Sequence, residues 1–304
     1  MSDVRTVPYE PARRADLFRL MEEVWGDRPS DEVFDWWFER NPTGPRLVTL
    51  AEDGDAVTGT GAMSFYRMVI DGEEQLIAIS LGMATHPQRR GKGVFERVQR
   101  VNEQVAAAAG ARLALGFANA TSGPIYVGKL GWIDVCRPRI WVRPKRVRPK
   151  REGRLRVAPT DARFGASHEH AYRLEAPSWG NHIVRNAAYL NWRYADSPRE
   201  YARLDGAGGW AVVGHALWHG LSTAVVCDAV GAGKARLLRR CVAAVDADVA
   251  VALPNPGEYP AYLGAGFVPS PRSVRLIGMP LVEGASLPRE RSAWRFSLGD
   301  LDIF

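Results

Sequence analysis

Gln88-Arg89-Arg90-Gly91-Lys92-Gly93 places two glycines among three cations. A strand-like run over 75–85 leads into it through His86 and Pro87, and a helix-like run over 93–109 follows. At such a junction the N–H groups of the first helical turn have no partner within the helix. Glycines let the chain tighten there and let a ligand approach the backbone with no Cβ in the way. The positive end of the helix lies behind the turn and contributes about 0.3–1 kcal/mol toward an anion. This combination suits a pyrophosphate, with Arg89, Arg90 and Lys92 adding screened attraction. Two other phosphate motifs fail. A P-loop requires Ser or Thr after its Lys, where this chain has Gly93. A dinucleotide fingerprint requires a third glycine where this chain has Glu96. The plain alternative is a glycine-rich turn before an ordinary helix.

The elements that position this turn follow from periodicity. Runs 12–25 and 31–40 are spaced as helices, with Leu17, Leu20, Met21 and Val24 on one face. Strands are predicted over 47–51, 56–70, 75–85, 112–117 and 132–142, with a second helix over 122–130. The later half repeats the plan, with strands over 209–218, 223–230 and 247–253 and helices over 234–245 and 258–263. Short echoes support the repetition. Asp35-Trp36-Trp37-Phe38 with Pro42 returns as Asn191-Trp192-Arg193-Tyr194 with Pro198, at an offset of 156. Gly91-Lys92-Gly93 returns as Gly233-Lys234-Ala235 at 142, and Pro124-Ile125-Tyr126-Val127-Gly128 as Pro260-Ala261-Tyr262-Leu263-Gly264 at 136. The expected fold class is α/β: two tandem domains, 1–145 and 146–304, each a mixed β-sheet flanked by helices.

A chain of 304 residues can bury two cores, and its 46% hydrophobic and 24% charged content is that of a soluble globular protein. No stretch approaches the roughly 18 apolar residues of a membrane span. The start of the chain, with charges of both signs, lacks the apolar centre of a signal peptide. Cys136, Cys227 and Cys241 show neither disulfide nor zinc spacing, so no metal is expected and the compartment reads as cytoplasmic. The net charge of +6 is concentrated. Ten Lys or Arg and one Glu lie within 137–156, leaving about −3 for the remainder. That ribbon is either a solvated connection or a surface for a phosphorylated ligand or RNA.

Gln88-x-x-Gly91-x-Gly93 at a strand-to-helix junction, preceded by Met83-Ala84-Thr85-His86-Pro87, resembles the acyl-CoA signature of the GNAT acetyltransferases. Tyr126-Val127-Gly128-Lys129-Leu130-Gly131-Trp132 is similar to that family's tyrosine segment. The resemblance covers 45–142 and extends more weakly over 185–278. It implies acetyl-CoA, or another acyl-CoA, as co-substrate without a metal. Gln88 to Gly93 would hold the pyrophosphate, and the backbone around Met83, Ala84 and Thr85 would hold the pantetheine arm and polarise the thioester. Tyr126 would protonate the leaving thiolate, a group of pKa about 8.5, from a phenol of pKa about 10. Asn119 would bond the pantetheine or cap the next helix. The second copy departs from the pattern, with Val230 in the place of Gln88 and Ala235 in that of Gly93, which implies a structural domain walling off the cleft.

The function so implied is N-acyl transfer to a small amine or amino sugar by direct attack, in a monomer or homodimer away from membranes. Two alternatives belong to other classes. One is a Fem-like tRNA-dependent aminoacyltransferase using the basic ribbon, which carries a single interleaved aromatic, Trp141. The other is a non-catalytic acyl-CoA-binding protein. Neither Glu73, Glu74 nor His86 stands out as the general base. Trp36 and Trp37 lie where acceptor choice is expected, and Asp300 and Asp302 read as solvated tail carboxylates.

Overall fold

A computed structural model describes residues 4–144, 163–218 and 220–301, and the backbone of Arg154–Leu155. The first elements are β1 (Arg5–Pro8), α1 (Arg14–Trp25), α2 (Asp31–Phe34), β2 (Leu47–Asp53), β3 (Ala56–Ile70) and β4 (Glu73–Thr85). After them come α3 (Val94–Ala108), β5 (Leu113–Ala118), α4 (Gly123–Lys129), β6 (Ile133–Cys136), β7 (Arg139–Pro144) and the short β8 (Arg154–Leu155). The later half opens with α5 (Ala166–Glu175), β9 (Asn181–Ile183), α6 (Ala187–Leu190), β10 (Tyr201–Gly206), β11 (Gly209–Trp218) and β12 (Leu221–Gly231). It closes with α7 (Lys234–Ala243), β13 (Val245–Asp246), β14 (Val249–Ala252), α8 (Tyr259–Gly264), β15 (Val268–Ser273), β16 (Arg275–Pro280) and β17 (Trp294–Arg295). The mixed α/β class is as expected from the sequence.

The chain forms two compact units, and neither is one continuous stretch. The first comprises Met1–Met68, Glu73–Val135 and Arg275–Arg289; the second comprises Val69–Gly72, Cys136–Val274 and Glu290–Phe304. A cut at 145 therefore does not describe the packing. The main path of the first sheet runs β1-β2-β3-β4-β5-β16-β6, and that of the second β10-β11-β12-β14-β7-β15. Along its main path each sheet takes one strand from the other half of the chain, β16 in the first and β7 in the second. The strand expected over 132–142 is correspondingly two strands. Arg137 and Pro138 separate β6 from β7, and proline has no N–H to continue a ladder. Each main path also holds one parallel pair, β4 with β5 and β12 with β14.

Local chemistry explains the elements nearest the site. α1 buries Leu17, Phe18, Leu20 and Met21 on one face and stops at Gly26, whose φ of 80° is left-handed. Asp71 and Gly72, with φ of 50° and 85°, form the two-residue turn that folds β3 back on β4. The buried stripe of α3 holds Val94, Val98 and Ala106, as a core-facing stripe should, and also Gln99, Asn102 and Glu103. Three buried polar groups on one helical face need partners. Asn102 accepts a hydrogen bond from Thr49 Oγ1 at 2.6 Å; Gln99 and Glu103 find theirs in the site. The echoed tryptophan segments are both π-helical turns, Asp35–Glu39 and Asn191–Ala195. Trp36 and Trp37 are core side chains packed edge to face at 4.7 Å.

Candidate active site

β4 and β5 pair in parallel from Ile77↔Leu113 to Ser80↔Gly116. Past that register β4 continues to Thr85 and β5 to Ala118, each without the other. The change occurs at Gly82, whose φ of 64° turns the strand as a β-branched residue could not. Met83, Ala84 and Thr85 follow on the diverging part of β4, with Ala84 buried and its two neighbours half-buried. On its other side β5 stays paired with β16 through Ala118↔Arg275. The divergence leaves one edge of each strand with backbone groups facing an opening.

β4 leads into the glycine turn. Gly91 and Gly93 have φ of 75° and 74°, and Gly93 caps α3 with no side-chain hydrogen bond. A Cβ at either would meet nothing within 4 Å, so the turn needs glycine for its backbone angles and not for room. Any other L-residue would cost about 1–2 kcal/mol at each. The amides of the first turn of α3 are left facing outward, the feature that suits an anion. His86 braces the turn: its Nδ1 accepts from the Gln88 N–H at 3.3 Å, and its Nε2 lies 3.2 Å from Glu23. Arg89 is ion-paired with Asp53, whereas Gln88, Arg90 and Lys92 are exposed. Arg90 Nε donates to the Thr85 carbonyl at 3.4 Å. Asn119 closes the turn before α4, its Oδ1 accepting from the N–H of Thr121 and Ser122 at 2.9 and 2.8 Å.

Tyr126 projects from α4 to the floor of the divergence. Its hydroxyl lies 2.7 Å from Ser80 Oγ, at the last paired residue of β4. Its ring packs against Phe95 at 5.2 Å and Trp132 at 4.6 Å, and the residue is buried. Behind it Ser80 Oγ lies 3.1 Å from Gln99 Oε1, Gln99 Nε2 lies 3.3 Å from Glu103 Oε1, and Trp132 Nε1 donates to that oxygen at 2.7 Å. Burial pushes the Glu103 carboxyl up, against the opposing pull of Trp132, Gln99 and Arg100. Ser80, Gln99, Glu103 and Gly82 were not singled out from the sequence. The legible signal was the break in the apolar stripe of α3 at 99, 102 and 103.

Residues 7–133 match the family model described as Acetyltransferase (GNAT) domain. This stretch is similar to a GNAT acetyltransferase domain. The turn, the diverging strands, Ser80, Gln99, Glu103 and Tyr126 all lie within it. No curated protein matches the chain. Among solved structures, the chain is similar to a GCN5-related N-acetyltransferase from Kribbella flavida, with a TM-score of 0.65 at 15% identity, over 92% of this chain and 72% of the other. A protein from Enterococcus faecalis described as a probable N-acyltransferase gives 0.65 at 12%, over 92% and 73%. One from Pyrococcus horikoshii described as a putative acetyltransferase gives 0.59 at 11%, over 96% and 94%. At these identities the likeness shows a shared fold.

Outside the matched residues, the turn echoing the glycines is filled by the chain itself. Gly231 and Gly233 again have positive φ, 90° and 70°, ahead of α7. The Gly231 N–H donates to the Glu175 carboxylate, which also pairs with Lys234 Nζ; Lys234 Nζ further donates to Glu258 at 2.5 Å. Asn255, which follows β14 as Asn119 follows β5, donates to the Phe296 carbonyl at 3.3 Å and accepts from its N–H at 3.2 Å. Asp300 is not a solvated tail carboxylate. It is buried and accepts from Arg185 at 2.7 Å and Tyr189 at 3.0 Å. Asp302 lies outside the described residues. Of the basic ribbon, Arg137, Arg139 and Arg143 are described; 145–153 and Arg156 lie outside. Among the described residues no helix is long and apolar enough to cross a membrane, and no cluster of three or more His, Cys, Asp or Glu suits a metal.

Proposed function

We propose that the chain is an N-acyltransferase that moves an acetyl group from acetyl-CoA to the amine of a small molecule. The observation that carries this reading is the coincidence, within one GNAT domain, of three features. These are the uncapped α3 terminus with its two left-handed glycines, the diverging β4 and β5, and a tyrosine hydroxyl at their floor. The first-turn amides with Arg90 and Lys92 hold the pyrophosphate. The free edge of β4 at 83–85 holds the pantetheine amides and polarises the thioester carbonyl. Arg89, tied to Asp53, shapes the turn and does not reach for the ligand.

Acetyl-CoA supplies the activated acyl carbon. A neutral amine attacks it, the C–N bond forms, the C–S bond breaks, and Tyr126 gives its proton to the departing sulfur. The proton shed by the amine leaves to solvent or to a base that the residues in hand do not single out. The half-buried Phe95 ring and the buried Tyr126 and Trp132 rings at the floor keep water from the back of the site.

The second half we read as a tandem copy of the same plan that has lost its ligand. Its strand order repeats that of the first sheet, exchanged strand included. Glu175 stands at the turn where a pyrophosphate would lie, and the Phe296 peptide occupies Asn255. One chain then binds one acetyl-CoA.

Release of free thiol from acetyl-CoA, screened against a panel of primary amines and amino sugars, tests the proposed reaction. Thiol release that depends on at least one amine is expected. Absence of amine-dependent release across the panel, with acetyl-CoA bound, would favour the non-catalytic reading.

A further inference from the structure

We propose that the protonation state of the Glu103 carboxyl sets the direction of the Tyr126 hydroxyl proton, acting through Gln99 and Ser80. The phenol then offers either a proton or a lone pair to the opening between β4 and β5. The consequence for catalysis rests on the acyltransferase reading; the hydrogen-bond chain does not.

The chain has four links, and a longer direct contact of 3.4 Å also joins the Tyr126 hydroxyl to Gln99 Oε1. Gln99 and Glu103 are one turn apart on α3 and face the same way. Gln99 is wholly buried, Tyr126 is 4% exposed and Glu103 7%. An ionised carboxylate accepts only. It then draws the Trp132 N–H at 2.7 Å and the Gln99 amide N–H at 3.3 Å. That orientation turns Gln99 Oε1 toward Ser80, 3.1 Å away, so Ser80 donates to it. A hydroxyl has one proton, so Ser80 can only accept from the phenol at 2.7 Å. The Tyr126 proton points into the protein, and a lone pair faces the opening.

A protonated Glu103 reverses every link, and the Gln99 amide oxygen and nitrogen exchange places. Its O–H donates to the Gln99 oxygen, which requires the amide to turn over about its last bond. Gln99 N–H then donates to Ser80 Oγ, Ser80 donates to the phenol oxygen, and the phenol proton is free to point into the opening. Trp132 still donates to the carboxyl oxygen in both states. Only in this sense can Tyr126 protonate a leaving thiolate, with Ser80 bonding to the phenolate that remains.

The surroundings favour the protonated form. Burial acts first on Glu103 and raises it; the opposing influences are the hydrogen bonds from Trp132 and Gln99 and the charge of Arg100 on the same helix. The groups facing the chain from β4 and α4, Ser80 and Tyr126, are neutral hydroxyls. A carboxyl raised by folding contributes stability that is complete below its unfolded value and is lost as pH rises through its folded value. Proton donation by Tyr126 follows the same course and falls as Glu103 ionises. Thiol release therefore has an alkaline limb set by Glu103. Glu103→Gln, which does not ionise, removes that limb.

The experiment is carbon NMR on the full chain, with label in the Glu103 carboxyl and at the hydroxyl-bearing ring carbon of Tyr126, from about pH 4 to about pH 10. The Tyr126 signal is expected to move with the same midpoint as the Glu103 carboxyl in the wild type. It should stay flat in Glu103→Gln, and also in Gln99→Met, which cuts the chain in the middle. Thiol release should lose its alkaline limb in Glu103→Gln with little change in the acetyl-CoA KM. A Tyr126 signal indifferent to the Glu103 titration, or an unchanged pH profile in Glu103→Gln, overturns the inference. Coupled NMR titrations without any turnover would uphold the chain while the acyltransferase reading fails.

Discussion

Replacing Asp228 with Ala is expected to destabilise the second unit by about 3–5 kcal/mol, the cost typical of removing one partner from a buried ion pair. Asp228 is fully buried between two arginines, its Oδ2 accepting from Arg185 Nε at 2.8 Å and its Oδ1 from Arg295 at 2.9 Å. Arg185 itself has no exposed surface. It also donates to Asp300 at 2.7 Å and to the Ile183 carbonyl at 2.8 Å, tying the terminal segment to the strand that carries Asp228. Removing the carboxylate leaves two buried guanidinium groups, which cannot shed their protons, each short of one charged partner. Burial raises the Asp228 carboxyl, but Arg185 and Arg295 together outweigh it and hold the group below its ordinary 3.8. The pair's stability is therefore present above that value and is lost as acid carries the pH down through the lowered one. The midpoint of urea unfolding at neutral pH measures the effect. A loss under about 1 kcal/mol would mean that the arginines find other partners.

Replacing Tyr126 with Phe is expected to lower the rate of thiol release about 10²–10⁴-fold, the usual contribution of a positioned general acid. Acetyl-CoA affinity should hardly change, because the phenol acts on the leaving group and the ring remains. The ring carries the packing against Phe95 and Trp132, and the lost hydrogen bond to Ser80 costs about 1 kcal/mol of stability. The variant therefore stays folded, which thermal unfolding verifies. Release within about twofold of the wild type would remove Tyr126 from the mechanism and point to solvent or the acceptor as proton donor.

Local chemistry made much of the first unit legible. The glycine turn, α3 behind it and α4 with its tyrosine each follow from residues within a few positions of one another. The strand exchange did not show, because nothing near β16 or β7 states which sheet each joins. The one local mark was Pro138, which breaks the run expected over 132–142. The pairing of Arg89 did not show, because its partner, Asp53, is remote in sequence and near in space. Asp300 read as solvated for the same reason: Arg185 lies 115 residues away. Gln99 and Glu103 were legible as polar residues on an apolar stripe, but their meaning appears only when Ser80 and Tyr126 arrive from other elements.

Calorimetric titration of the full chain with acetyl-CoA tests the central claim most directly. One site per chain is expected. Binding should be lost when Gly91 and Gly93 are both changed to Val, in a variant whose far-ultraviolet dichroism matches the wild type. Absence of binding by the wild type, or undiminished binding by the double variant, would contradict an acyl-CoA site at this turn. Two sites per chain would contradict a second half closed by its own Glu175 and Phe296.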